Sequence, residues 1–299
     1  RRKTTRGRQV LEVSAWAGDV RFLDQPVLCG HYIGDVISGA EAALDELLEG
    51  ALSERERMSV YAGEIGTSTI VLRPPTGEER ARGSLPGAVV VGLGQFTGQL
   101  SARQVTETVR GGVLRLLLQL RDALGLTAER PVTLCSFLIG WSSTTNLSVS
   151  ESVAAIARGV LEANRRFRDA VGKSQEPVLA VTKLTFVELF RDAAITAASA
   201  VLDLPELLAG ELPRLGARIE PANALVEGEG VIERLGAAGD LGHWSRLIVT
   251  DAEAPEVRSA PECCELRWQS PLPPALLRQL SGQGGHLGKP NTTVPPPPA

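Results

Sequence analysis

Three short stretches of this sequence put polar or reactive residues just beyond an apolar run, the setting in which loops gather ligand groups on a rigid scaffold. The first is Gly30-His31-Tyr32-Ile33-Gly34-Asp35, directly after Pro26 to Cys29. An imidazole, a phenol and a carboxylate so spaced would line the rim where open α/β sheets hold ligands. Gly30, His31, Tyr32, Gly34 and Asp35 are therefore the preferred ligand-binding candidates. In the competing reading, His31 and Asp35 are loop residues that satisfy backbone groups beside a helix cap. The second stretch, Gly92-Leu93-Gly94, follows an apolar run and precedes a helix start at Ser101. Backbone N–H groups there could receive a phosphate. The spacing to Gly98 is one residue too long for a dinucleotide fingerprint, and Val132 to Ile139 offers no acidic residue for a ribose hydroxyl, so a structural turn is favoured.

The third stretch, Gly140-Trp141-Ser142-Ser143-Thr144, approximates a nucleophile elbow, with Asp203 and His243 downstream in the order used by α/β-hydrolases. Thr144 stands where the elbow needs glycine, and the next helix start lies several residues beyond Ser142. Gly140, Trp141 and Ser142 are kept as ligand-rim candidates, with a serine hydrolase as the alternative. A second catalytic possibility pairs Cys135 with His31, but Cys135 sits mid-run beside Leu134 and Phe137, where a thiol is usually an inert small hydrophobe. The histidines, at 31, 243 and 286, show no metal-ligand spacing. No catalytic residue, metal or cofactor is assigned, and the balance leans away from an enzyme.

These residues need elements to position them. Gln9 to Trp16 and Asp19 to Phe22 read as a hairpin turning at Ala17-Gly18. Helix starts are marked by Ser38-Gly39-Ala40-Glu41, Ser101-Ala102-Arg103-Gln104 and Ser148-Val149-Ser150-Glu151, each with capping-box spacing. The helices are expected to run to Gly50, to about Ala123 and to about Ala170. Between them, Ser68 to Leu72, Ala88 to Val91, Val132 to Ile139 and Val178 to Phe186 read as buried strands. Alternating strands and helices predict an α/β fold, a mixed sheet flanked by helices.

The organisation expected is a basic tail at 1–8, an α/β domain at 9–204, a small C-terminal extension at 205–280 carrying a strand from Trp244 to Thr250, and a disordered Pro/Gly tail at 281–299. Aromatics are 4% of the chain, so the core must be built from Val, Leu, Ile and Ala. A net charge of −4 argues against nucleic acid, and the basic run at Arg1, Arg2, Lys3, Arg6 and Arg8 reads as a solvated tail. Cysteines at 29, 135, 263 and 264 make no disulfide framework, which fits a reducing, cytoplasmic setting. No apolar run reaches the roughly 18 residues of a membrane span, so no membrane partner is expected. Starting without Met and ending in NTTVPPPPA, the chain reads as a piece of a longer polypeptide.

The order GAEAALDELLEGALSER (39–55), IGTSTIVL (65–72), GAVVVGLG (87–94), a Leu-rich helix, then SESVAAIARGVLEANRRFRD (150–169) resembles the macro-like N-terminal domain of cytosolic leucine aminopeptidases. That resemblance implies the fold and an assembly role, including a homo-oligomer, and adds a degenerate aminopeptidase relative to the enzymatic alternative. In that family the peptidase chemistry belongs to a separate two-metal domain whose Asn-Thr-Asp-Ala-Glu-Gly-Arg signature has no match here, since Asn291-Thr292 runs into Thr-Val-Pro. The wording of VLCGHYIGDVISGAEAALD, LSVSESVAAIARGVLEANR and HWSRLIVTD also resembles a middle segment of large bacterial proteins that end in a caspase-like CHAT peptidase and are associated with defence or conflict. It implies a non-catalytic sensing or scaffolding module, with a small ligand, other domains of the polypeptide or an effector protein as partners.

Overall fold

GAVVVG (87–92) is apolar at every position, and such a strand is stable only with both faces covered. In the computed structural model all six residues are buried. The structure describes residues 9–74, 77–78, 84–96, 100–124, 131–141, 147–171, 178–222, 225–232, 246–251 and 264–269. The chain separates into two compact units, Arg1–Arg234 and Leu235–Ala299.

In the first unit the strands are β1 (Gln9–Ala17), β2 (Pro26–His31), β3 (Ser68–Leu72), β4 (Gly87–Gly92), β5 (Val132–Ser136), β6 (Val181–Glu188), β7 (Ala217–Pro221) and β8 (Val226–Glu227). They form one sheet in the order β3-β4-β2-β5-β6-β1-β7, with β8 also pairing with β1. β3 runs antiparallel to β4, and the other pairs are parallel. The helices are α1 (Gly39–Leu47), α2 (Ala51–Arg57), α3 (Ala102–Leu124), α4 (Val149–Val171), α5 (Arg191–Leu207) and the short α6 (Leu212–Leu215). This is the mixed sheet flanked by helices that the alternation of runs predicts.

Side chains alternate across each strand, and two clusters separate accordingly. Leu28, Val89, Val91 and Leu134 pack with α3, α4 and α5 in the larger cluster. Their neighbours Val27, Cys29, Val90 and Cys135 pack with α1 and α2 in the smaller one. Among the described buried apolar residues, Phe167 and Phe186 are the only aromatic ones, in keeping with the composition.

Both capping boxes at the long helices form. Ser101 Oγ accepts from the Gln104 N–H at 3.3 Å, and Gln104 Oε1 accepts from the Ser101 N–H at 2.9 Å. Ser148 and Glu151 exchange the same bonds at 3.2 and 2.8 Å. Ser38 is also an N-cap, but its box does not close, because its side chain makes no cap bond. The helix expected up to Gly50 does end there, α1 stopping at Leu47 and Gly50 taking φ +80°; beyond it a helix that the sequence reading did not include, α2, starts where the buried Asp45 carboxylate accepts from the Leu52 and Ser53 N–H groups at 2.7 and 3.2 Å.

Three further expectations need correcting. Residues Gln9 to Phe22 are not a hairpin: β1 lies between β6 and β7, paired in parallel with both, and Gly18 continues toward β6 by donating to Glu188 O at 2.9 Å. Val20–Phe22 is a 3-10 turn capped by Asp19, whose side chain accepts from the Arg21 N–H. The run from Val132 leaves the sheet after Ser136 rather than at Ile139. The sheet also continues past residue 204, since α5 runs through Pro205 and β7 joins β1. Residues 1–8 and 281–299 lie outside the described residues. In the second unit, β9 (Arg246–Asp251) and β10 (Cys264–Gln269) form an antiparallel pair, β9 falling on the strand expected from Trp244 to Thr250. Among the described residues no helix is long and apolar enough to cross a membrane.

Asn164, 2% exposed, ties α4 to the sheet: its Nδ2 donates to Val181 O at 2.8 Å, and its Oδ1 accepts from the Val181 N–H at 2.9 Å. Both backbone groups open β6, where the register with β5 shifts. Asn164→Ala leaves two buried backbone groups unpaired and should cost about 3 kcal/mol in urea unfolding, whereas Ser148→Ala at an exposed cap should cost about 1 kcal/mol.

Candidate functional site

From β2 the chain passes through α1, α2 and β3 to β4 on one side of β2; from β4 it crosses by α3 to β5 on the other side, and then continues to β6. The strand order thus reverses direction between β2 and β5. Diverging connections leave a crevice outside the carboxyl ends of the strands at such a point. A cavity of about 270 Å³ lies there. β2 and its continuation contribute Cys29, Gly30 and Tyr32, and the approach to α1 adds Asp35, Val36 and Glu41. Leu93 and Phe96 come from the loop after β4, and Phe137, Gly140 and Trp141 from the loop after β5.

Of the ten sequence-derived candidates, the structure brings Gly30, Tyr32, Asp35, Gly140 and Trp141 together on one cavity. Gly34 is exposed and takes φ +75°, but it does not line the cavity. Ser142 and His243 lie outside the described residues, and Asp203 is exposed on α5. Gly92 and Gly94 face inward to the protein's own backbone. The N–H groups of Gly92, Leu93 and Gly94 donate to Thr67 O, His31 O and Gly63 O at 3.1, 2.9 and 2.8 Å. A Cβ on Gly92 would stand 2.0 Å from the Glu64 carbonyl oxygen, so the glycine permits a close backbone approach. All three donors of this turn are in use within the fold.

His31 is turned away from the rim. It is 5% exposed, and its Nδ1 bonds Glu41 Oε2 at 3.1 Å. A carboxylate only accepts, so Nδ1 carries the proton. The other Glu41 oxygen accepts from the Tyr61 hydroxyl at 2.7 Å, and the His31 and Tyr61 rings meet edge-on with centroids 4.8 Å apart. Burial pushes the Tyr61 phenol far up, with Cys29 and Glu41 adding to the effect. For His31, burial opposes the charged form, but the hydrogen bond and charge of Glu41, with Asp35 and Glu56 behind it, outweigh this and raise its pKa. Burial likewise lifts the Cys29 thiol well above its usual range and pushes Cys135 up to about 12. Neither thiol is a nucleophile near neutral pH.

Sequence reasoning missed Glu41 and Tyr61 as partners of His31, and Cys29 and Phe96 as cavity walls. Glu41 carried a signal, but at three residues after Ser38 it pointed to a capping box. Tyr61 lies in a stretch without periodicity and carried none. A larger cavity, about 540 Å³, lies at the opposite edge of the sheet among Gln9, Glu12, Asn164, Thr182 and Lys183. It sits where β1 and β6 begin, away from the carboxyl ends that gather loops in open sheets, and its Lys183 pairs with Glu12 at 3.2 Å. The smaller cavity is the better candidate.

Because the folded His31 pKa is raised above its unfolded value of about 6.5, its contribution to stability is complete below that pH and is lost as pH rises through the folded value. Thermal unfolding between about pH 6 and 8 should show this decline in the native chain and not in Glu41→Gln. Glu41→Ala, which strips partners from both buried rings, should cost about 2–3 kcal/mol at neutral pH.

No protein-family model matches the sequence, and no curated protein matches it. Solved structures similar to the chain include the macrodomain of Mycobacterium tuberculosis DarG, at 8% identity and TM-score 0.38, covering 58% of this chain and 96% of that one. An Oceanobacillus iheyensis macrodomain mutant with ADPR is similar at 14% identity and TM-score 0.37, covering 65% and 92%. The bottromycin maturation enzyme BotP is similar at 16% identity and TM-score 0.33, covering 61% of this chain and 32% of BotP.

Proposed function

We propose that this chain is a non-catalytic sensing or scaffolding module that holds a small ligand in the cavity between the ends of β2 and β5. The observation that carries the reading is the convergence of three separate loops on one crevice at the sheet's switch point. Among the described residues around it, the groups that would do covalent chemistry are engaged or buried: the Cys29 and Cys135 thiols are buried with raised pKa values, and His31 is committed to Glu41. On this reading the chain works inside a larger bacterial polypeptide, similar to those ending in a CHAT peptidase. Its occupied or empty state is passed to another domain or an effector protein in the reducing cytoplasm. The likeness to leucine aminopeptidase N-terminal domains adds self-assembly as a route for that signal.

Ala40 lines the cavity yet is exposed, so Ala40→Trp should fill the mouth without disturbing the core. A thermal-shift screen of nucleosides, ADP-ribose, small aromatic compounds and short peptides should find a ligand that raises the melting point. At a hundredfold excess over Kd the gain is about 2.7 kcal/mol. Ala40→Trp should abolish that shift while leaving the unliganded melting point unchanged. No shift with any compound at millimolar concentration would withdraw the ligand and leave only a scaffold.

The enzymatic alternative is a hydrolase using Ser142 or Cys135, and its thiol form makes an opposite demand on the cysteines. Iodoacetamide at pH 8, read by peptide mapping, should leave Cys29 and Cys135 unmodified in the native chain and alkylate both in urea. Fast native labelling of Cys135 would favour the thiol hydrolase.

A further inference from the structure

The charge and shape of this cavity say which ligand it takes. No lysine or arginine occurs among its described lining residues. Nor does the sequence supply one nearby, since the connecting segments 32–38, 93–101 and 137–148 contain neither residue. An anion would also find many backbone donors already engaged. The N–H groups of Ile33 and Asp35 donate to Gly94 O and Tyr32 O, that of Val36 to Asp35 Oδ1, and that of Phe137 to Leu28 O. With the N–H groups of residues 92–94 also engaged, the donors left to an anion lie at the uncapped start of α1, beside the Asp35 and Glu41 carboxylates that line the same cavity.

What the walls offer is the opposite. Tyr32 and Phe96 meet edge-on, centroids 5.2 Å apart, and Phe96 and Trp141 stay 50% and 41% exposed. Aromatic faces carry the negative side of the ring quadrupole, which attracts cations. Of the two lining carboxylates, Glu41 is held by His31 and Tyr61, while Asp35 is exposed and bonded through Oδ1 to the Val36 N–H. Asp35 can therefore take a salt-bridging partner from solution. The volume, about 270 Å³, falls just below the roughly 300–1,000 Å³ of drug-sized sites, which suits one ring system rather than a dinucleotide.

We propose that the cavity bounded by Tyr32, Asp35, Phe96 and Trp141 binds a small organic cation, a planar aromatic body bearing an amidinium, guanidinium or ammonium group. The body stacks against the exposed rings, and the cationic head pairs with Asp35. This rests on the ligand-binding reading above and adds the sign of the ligand's charge.

Benzamidine, benzamide and benzoate share one ring and differ in charge, so they separate the two claims by calorimetric titration, with ADP-ribose as competitor. Benzamidine should bind at least roughly tenfold more tightly than benzamide, more so at low ionic strength, and benzoate more weakly than either. Asp35→Asn keeps a side-chain acceptor for the Val36 N–H and should reduce benzamidine to the affinity of benzamide. Trp141→Ala should weaken both. Benzoate or ADP-ribose binding as tightly as benzamidine would overturn the charge assignment while leaving a ligand site. Binding of benzamidine unaffected by Asp35→Asn would overturn it as well. Silence from all four compounds would contradict the cavity reading itself.

Discussion

One carboxylate organises the functional end of this molecule. Glu41, in the first turn of α1, accepts from His31 at the end of β2 and from Tyr61 in the connection that leads to β3. Three separate pieces of chain are thereby fixed to a single charged group in a mostly buried place. Removing a partner from such a group costs far more than the bond itself contributes, because the charge or the ring polar atoms are then left without water or protein to satisfy them. The bond ties the end of β2 to the first turn of α1, and Tyr32 and Asp35 line the cavity from the short segment between.

The rest of the site follows from the sheet. Parallel strands need crossovers, crossovers need helices on the faces, and a chain that winds both ways from a central strand must part its connections at the strand ends. Here the parting falls between β2 and β5, with β4 alongside. The loops after β2, β4 and β5 meet there, and hydrogen bonds link two of them: Leu93 N–H to His31 O, and Ile33 N–H to Gly94 O. Backbone pairing takes up the donors of the loop after β4 and several of those after β2, so side chains make up much of what faces a ligand. That is why the cavity's character is set by Tyr32, Asp35, Phe96 and Trp141.

Much of the fold was legible because its signals are local. Apolar runs such as AVVV at 88–91 can only be doubly covered strands, and Ser-x-x-Gln and Ser-x-x-Glu at 101 and 148 open helices by bonds that close within four residues. What failed was non-local. Gln9–Phe22 looked like a hairpin because the turn at Ala17-Gly18 was visible, whereas the partners of β1, more than 160 residues away, were not. The site divides the same way. Its rim residues were found from their place after strands, but the inward turn of His31 depends on Tyr61, a residue with no pattern around it. Ser38 and Glu41 had the right spacing for a box, and the carboxylate bonds His31 and Tyr61 instead.

The most direct measurement is an amide chemical-shift map of the isotope-labelled chain titrated with benzamidine. Perturbations confined to residues 30–36, 93–96 and 137–141 are the predicted result. Perturbations centred on the opposite edge, around Gln9, Thr182 and Lys183, would place the ligand at the larger cavity and contradict the account.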